Sequence, residues 1–245
     1  MSVFFHQYFD LDLMRDNFTF VLEGFGQTLE LSILAGALSL TWGLILAVMR
    51  QSRGRATTPV RIAAIGYIDA FRGIPFLLTL LLISGGLPFV FTGSLSFIGI
   101  PEWFGKSDPF WYGVFALTLT YGAYMAEVYR AGIEAVPQGQ MEAARSLGMS
   151  HGKAMRHVIV PQAIRSVIPP LLNDFIALMK DTSLVGVIGL IEVVEAGRTV
   201  QGETFNSSAL TLGALMFLVM TIPLARMVDR LIASQQAKYQ RGLAT

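Results

Sequence analysis

The sequence predicts an all-α integral membrane protein with five transmembrane helices, and three observations carry the prediction. Of 245 residues, 53% are hydrophobic and only 14% are charged, against about a quarter charged in ordinary soluble domains. Five stretches, near 28–49, 63–90, 110–129, 167–190 and 207–225, approach the roughly 20 mostly apolar residues that a bilayer-spanning helix needs. The basic residues, finally, fall on one side of those stretches.

That asymmetry orients the chain, because cytoplasmic connections retain lysine and arginine. One side collects Arg50, Arg53, Arg55 and Arg61, then Arg130, Arg145, Lys153, Arg156 and Arg165, then Arg226, Arg230, Lys238 and Arg241. The other holds Arg15, Lys106 and Arg198 among many acids, including Asp10, Asp12, Asp16, Glu192, Glu195 and Glu203. The N-terminus is therefore expected outside and the C-terminus inside. The net charge of +1, divided this way, argues for topology and excludes a nucleic-acid partner. The absence of cysteine excludes disulfides and thiolate metal sites. No repeat or low-complexity linker divides the chain, so residues 1–245 are read as one domain.

The opening segment lacks a basic n-region and a small-residue cleavage site, which predicts no removable leader. Its Phe4, Phe5, Tyr8, Phe9, Leu13 and Phe18 alternate with acids, as suits a segment lying in the outer membrane interface. Glu30, near the outer mouth of the first span, is read as reaching the headgroups. In the second span, Gly73 and Pro75 of "YIDAFRGIPFLL" are expected to break the helix, a feature that often marks a transport path. Asp69 and Arg72, three residues apart, share a helix face; an ion pair that cements packing and a polar cavity lining both fit them. The outer loop "TGSLSFIGIPEWFGKSDPFW" is rich in turn residues, and Trp103 and Trp111 are read as interfacial anchors.

Charges inside spans cost roughly 2.5–3.5 kcal/mol each on insertion scales and face a bundle interior or an aqueous path. Glu127 and Arg130 read as an interfacial pair closing the third span. Asp174, Lys180 and Asp181 lie within the fourth, and Lys180 and Asp181, followed by Thr182 and Ser183, read as polar lining. Between these spans runs the longest polar interruption, about residues 131–165. Within it Gln140 to Leu147 is expected to form a two-turn helix ended by a left-handed Gly148. Ser150 then caps a second helix with Met155, Val158 and Ile159 as its apolar stripe, running to Pro161. A DNA-binding helix-turn-helix would look similar, but both ends are tied to spans within about a dozen residues. A packed loop and a docking plug for a cytosolic partner both remain.

The stretch "EAARSLGMSHGKAMRHVIVPQ" resembles the signature loop of membrane subunits of binding-protein-dependent ATP-binding-cassette importers, through Glu142, Ala143, Ala144, Gly148, Ile159 and Pro161. Val160 stands where the family favours leucine. The segments "YMAEVYRAGIEAVPQGQMEAARSLGMS", "PQAIRSVIPPLLNDFIALMKDTSLVGVIG" and "FRGIPFLL" are similar to the polar amino-acid permease branch, over roughly residues 20–235. One departure is Thr79, where many relatives carry glutamine.

The resemblance implies a type I importer permease fold and a second permease subunit, either a copy of this chain or a paralogue. It also implies a cytosolic ATPase dimer, an extracytoplasmic solute-binding protein and an amino-acid substrate. The coupling helix would comprise Gln140, Glu142, Ala143, Ala144, Arg145, Leu147 and Gly148, seated in a groove of the ATPase. No cofactor is expected in this chain, which has no phosphate-cradling G-x-x-x-x-G-K-[ST] segment; ATP and magnesium would be bound by the ATPase, so the chain is expected not to be an enzyme. For the substrate, Arg72 is expected to hold the carboxylate and Asp69 with Asp181 the ammonium, helped by Thr182 or Ser183. Arg72 and Lys180 as the cations at depth lean the expected substrate toward an acidic or amide side chain. An opine or other small zwitterion on the same architecture is the main alternative; an ion-coupled secondary transporter would show inverted repeats, and none is visible.

Overall fold

A computed structural model describes the backbone of residues 2–52, 54–92 and 105–243. Among these the chain is helical and contains no strand. Two short helices, α1 (Ser2–Tyr8) and α2 (Leu11–Asp16), precede the long α3 (Phe18–Gln51). Then follow α4 (Thr58–Gly73), α5 (Phe76–Thr92), α6 (Asp108–Glu134), α7 (Gln138–Ser146) and α8 (His151–Ala154). A π-helical segment, Met155–Ile159, leads into α9 (Val160–Asp181), a 3-10 segment, Thr182–Ile188, leads toward α10 (Val193–Thr204), and α11 (Ser208–Leu243) closes the chain.

Length and composition qualify two helices as spans, Phe18–Gln51 and Ser208–Ser234, with the pair α4 and α5 as a third, broken one. The helices α6 and α9 fall short of the apolarity criterion for a physical reason. The first is the centre of the bundle, with buried Tyr112, Thr120 and Tyr121 among its small residues; the second carries Asp174, Lys180 and Asp181 and two internal prolines. Charged side chains inside spans face a bundle interior or an aqueous path, and Asp174 and Asp181 border a cavity.

Small residues set the spacing around α6, as they do where lipid removes the hydrophobic drive between helices. A Cβ on Gly43 of α3 would stand 2.9 Å from the Gly122 carbonyl oxygen of α6, and one on Gly132 of α6 would collide with Val167 Cγ1 of α9. Hydrogen bonds add register: Trp42 Nε1 donates to Tyr67 Oη at 2.9 Å, and Tyr67 Oη donates to the Leu119 carbonyl at 3.0 Å. One indole and one phenol thus tie α3, α4 and α6 together. At the basic end, Glu127 accepts from Arg50 Nη1 at 2.6 Å and pairs with Arg130, which also holds Glu134. The expected interfacial pair is part of a four-residue network.

The opposite end is closed by the α10–α11 corner. Ser207 N donates to the Gln7 carbonyl, Asn206 Nδ2 to the His6 carbonyl and Asp10 N to Ser208 Oγ, so the opening segment is strapped across this corner with Phe4, Phe5 and Phe9 left exposed. Glu30, read as reaching the headgroups, is paired with Lys106. Trp111 packs on the main core cluster. Gly93, Gly99, Pro101 and Trp103 of the outer loop lie outside the described residues.

Candidate functional site

The second span breaks where the sequence places Gly73 and Pro75. Proline disfavours a helical residue before it, and Ile74 is extended at φ −92°, ψ 129°. Over that break α4 and α5 turn by 108°. A cavity of about 480 Å³ lies against the turn, bordered by Arg72 to Phe76, by Thr120, Tyr121 and Tyr124 of α6, and by Asp174, Ala177 and Asp181 of α9. That volume is within the roughly 300–1,000 Å³ of small-molecule sites.

The cavity lining carries one cation and two acids. Arg72 Cζ stands 5.9 Å from the Tyr124 ring centroid, within the range of cation–π attraction. In the same lining, Tyr121 Oη donates to Asp181 Oδ2 at 2.8 Å. Asp174 Oδ2 and Thr120 Oγ1 are buried without a hydrogen-bond partner. Buried polar atoms of that kind cost roughly 1–3 kcal/mol each and here border a cavity, where a bound polar molecule can use them. Thr79, the position of the departure from the family pattern, is buried on α5, its hydroxyl likewise without a partner.

Of the expected lining, the structure brings Arg72 and Asp181 together and leaves the rest apart. Asp69 is exposed on α4, does not border the cavity and forms no ion pair with Arg72. Lys180 points about 100° away from Asp181 around α9 and with Ser183 borders a separate hollow against Val194, Phe217, Leu218 and Thr221. Thr182 is fully buried and its hydroxyl donates to the Met179 carbonyl at 2.7 Å; the Ser183 hydroxyl donates to the Lys180 carbonyl at 2.7 Å. Both hydroxyls are held within the helix turn. In their place stand Asp174, Tyr121 and Tyr124, which the sequence reading did not select. Residues 174 and 181 are seven apart, two turns along one helix face, and that spacing picks Asp174 over Lys180.

The polar interruption forms the expected hairpin. The α7 helix ends as the Leu147 amide donates to the Ala143 carbonyl and the Gly148 amide to the Arg145 carbonyl, with Gly148 at φ 82°, the left-handed region that favours glycine. Ser150 Oγ accepts from Lys153 N at 3.4 Å to start α8. The inner face is anchored: Ala144 is buried, and Met141, Met155 and Val158 pack against buried Val136 and Ile159. The outer face presents Gln140, Glu142, Ala143 and Arg145, with Leu147 84% exposed. Helix does not stop at Pro161, contrary to expectation: the π segment runs straight into α9, where Pro161 takes a first-turn position that needs no N–H.

A family model described as "Binding-protein-dependent transport system inner membrane component" matches residues 39–237. The Bacillus subtilis (strain 168) protein described as "Probable glutamine ABC transporter permease protein GlnM" is 36% identical over 236 residues, covering 94% of this chain and all of that one. An arginine transport system permease protein of the same organism is 33% identical over 205 residues, 83% of this chain and 86% of its own. The fold matches that of a solved amino acid ABC transporter with histidines at a TM-score of 0.77 and 35% identity, over 88% of this chain and 94% of the other. A methionine ABC transporter in inward-facing form, at a TM-score of 0.65 and 18% identity over 91% and 98% of the two chains, shares the fold alone. The broken second span, the polar cavity beside it and these matches lead to one conclusion: the chain belongs to the binding-protein-dependent transport system inner membrane components, as an amino-acid permease of an ABC transporter in the bacterial inner membrane.

Proposed function

We propose that this chain forms the translocation path of an ATP-driven importer and that the cavity at the α4–α5 break is its substrate site. Five spans serve this reading, α3, the broken pair α4–α5, α6, α9 and α11, with the basic end in the cytoplasm. The observation that carries it is that Arg72, Asp181 and Asp174 together line one small cavity. An α-amino acid carries a carboxylate and an ammonium a few ångströms apart, and a bilayer-depth site must answer both charges. Arg72 takes the carboxylate; Asp181, oriented by Tyr121, takes the ammonium.

The side chain is left to Asp174 and Thr120. With Lys180 facing another hollow, the cavity holds one cation and two acids, so the electrostatic case for an acidic side chain falls away. An amide fits, accepting from and donating to these two groups, and the glutamine-permease relative supports that choice. A cationic side chain is the second reading, favoured by the unbonded Asp174 oxygen and by the arginine-permease relative. The hairpin α7–α8 is the contact for a cytosolic ATPase, with exposed Leu147 entering an apolar recess; a second permease subunit and a solute-binding protein complete the assembly.

Uptake of labelled glutamine, glutamate and arginine into proteoliposomes holding the assembled transporter tests this. Arg72→Ala and Asp181→Asn should each lower uptake by roughly 10–100-fold, the loss expected for a charge-assisted contact, with the ATPase still co-purifying. Unaltered transport kinetics in both would remove the cavity from the path. Asp174→Asn separates the side-chain readings: it spares glutamine uptake and abolishes arginine uptake if a cation sits there.

A further inference from the structure

A second, larger hollow of about 1090 Å³ opens at the basic end of the bundle. It is enclosed by the last turn of α3, the first turn of α4, the end of α6 and the α7–α8 hairpin. Arg50, Arg61 and His151 line it together with the apolar Met141, Met155 and Ile159. Its one lining acid, Glu134, is already held by Arg130. Arg50 gives Nη1 to Glu127, whereas Arg61 forms no ion pair among the described residues. The lining thus combines uncompensated positive charge with apolar side chains. In sequence this connection concentrates Arg50, Arg53, Arg55 and Arg61 within residues 50–61.

Position identifies the ligand chemistry. The ends of α3, α4 and α6 and the entry to α9 all border the hollow, which places it at the level of the lipid headgroups. Phosphodiester anions are concentrated there, each joined to an apolar tail, and basic pockets between membrane helices suit them. We propose that this hollow binds an anionic phospholipid, its phosphate between Arg50 and Arg61 and its glycerol and upper acyl carbons over Met155 and Ile159. Such a lipid touches both the spanning helices and the hairpin, so it holds the hairpin against the bundle.

The test uses the assembled transporter in proteoliposomes of phosphatidylcholine with graded phosphatidylglycerol, with retained lipid read by native mass spectrometry. Wild type should gain uptake with phosphatidylglycerol and retain that lipid. Arg61→Gln should lose the retained lipid and need about five-fold more phosphatidylglycerol for half-maximal uptake, the effect of one basic residue near an anionic surface, and Arg61→Lys should restore most of both. Arg198→Gln, at the opposite end, should change neither. The proposal fails if Arg61→Gln keeps the wild-type lipid dependence, or if Arg198→Gln shifts it equally. It fails too if soluble glycerol phosphate replaces phosphatidylglycerol in neutral vesicles, which would make the site one for free phosphate. Loss of ATPase co-purification in Arg61→Gln whatever the lipid would assign the surface to the ATPase instead.

Discussion

Glu192 is the most completely buried acid among the described residues, 0% exposed, and it lies just beyond the fourth span where the 3-10 segment turns into α10. Its carboxylate caps that helix: Oε2 accepts from Val194 N at 2.9 Å and Oε1 from Glu195 N at 2.8 Å. Its carbonyl oxygen is pressed so close to α3 that a Cβ on Gly24 would stand 2.9 Å from it. Burial pushes the carboxyl up to about 7 from an ordinary 4.5, against the lowering effect of the two amide bonds, with Glu195 adding to the rise and Arg198 opposing it. A raised acid binds its proton in the folded state while the unfolded chain has released it, so stability falls as pH climbs from about 4.5 through about 7. The span between those values corresponds to roughly 3 kcal/mol. Glu192→Gln keeps the shape and one acceptor but cannot ionise. The apparent melting temperature of the purified protein, followed from pH 5 to pH 8.5, should therefore fall more steeply for wild type than for Glu192→Gln. At roughly 2–4 °C per kcal/mol for chains of this size, the difference between the two slopes should sum to several degrees above pH 7. Parallel curves would refute the reasoning, because every other titrating group is common to both proteins.

Gly132→Val drives a side chain into Val167 of α9, where even a Cβ collides; it should cost about 1–3 kcal/mol by overpacking, and Val167→Ala in the same chain should restore most of the melting temperature. Leu147→Ser removes the exposed apolar knob of the hairpin and should weaken ATPase association at least about tenfold in titration, the worth of burying one leucine, with the fold unchanged by circular dichroism. Gly148→Ala forces a Cβ into a φ of 82°, a strain of about 1–2 kcal/mol that should lower coupled uptake while leaving α3 to α6 intact to limited proteolysis. Trp42→Phe deletes the donor to Tyr67 and should lower stability by about 0.5–1.5 kcal/mol.

Sequence disclosed what depends on local chemistry. A glycine two residues before a proline disfavours continued helix, so the cavity's hinge was legible, as were the Gly148 turn and the Ser150 cap, even though Pro169 and Pro170 stand inside α9. Rotation about a helix was only half read. Neighbours in sequence such as Lys180 and Asp181 seem to form one polar cluster, yet a helix separates them by about 100° and sends them to different hollows. The residues that complete the cavity, Tyr121, Tyr124 and Asp174, come from helices joined to α4 only by tertiary packing. No periodicity in one segment reports which face of α6 meets the break in α4. Hydropathy marked 110–129 and 167–190 as candidate spans beside the more apolar α3 and α11, although buried Thr120 and Tyr121 of α6 and Asp174, Lys180 and Asp181 of α9 weaken that signal.

The continuity of helix beyond Pro161 bears directly on coupling. A break there would have isolated the hairpin; instead α8, the π segment and α9 follow one another without a loop, and the hairpin floor is bound to that column by Met155 and Ile159. Asp174 lies 14 residues along α9 from Val160, about 21 Å at 1.5 Å per residue, and Asp181 lies two further turns on. Arg72 sits on a different body, α4, ended by the hinge. On the proposed reading, a displacement of the hairpin by a bound ATPase would therefore act on the acids of the cavity without acting equally on its guanidinium. The π segment is the place where that column can yield, since its wider turn lacks the regular α-helical bonding. On the proposed reading, the site is made of groups that one helix can carry away from another, and substrate release needs only that their separation change.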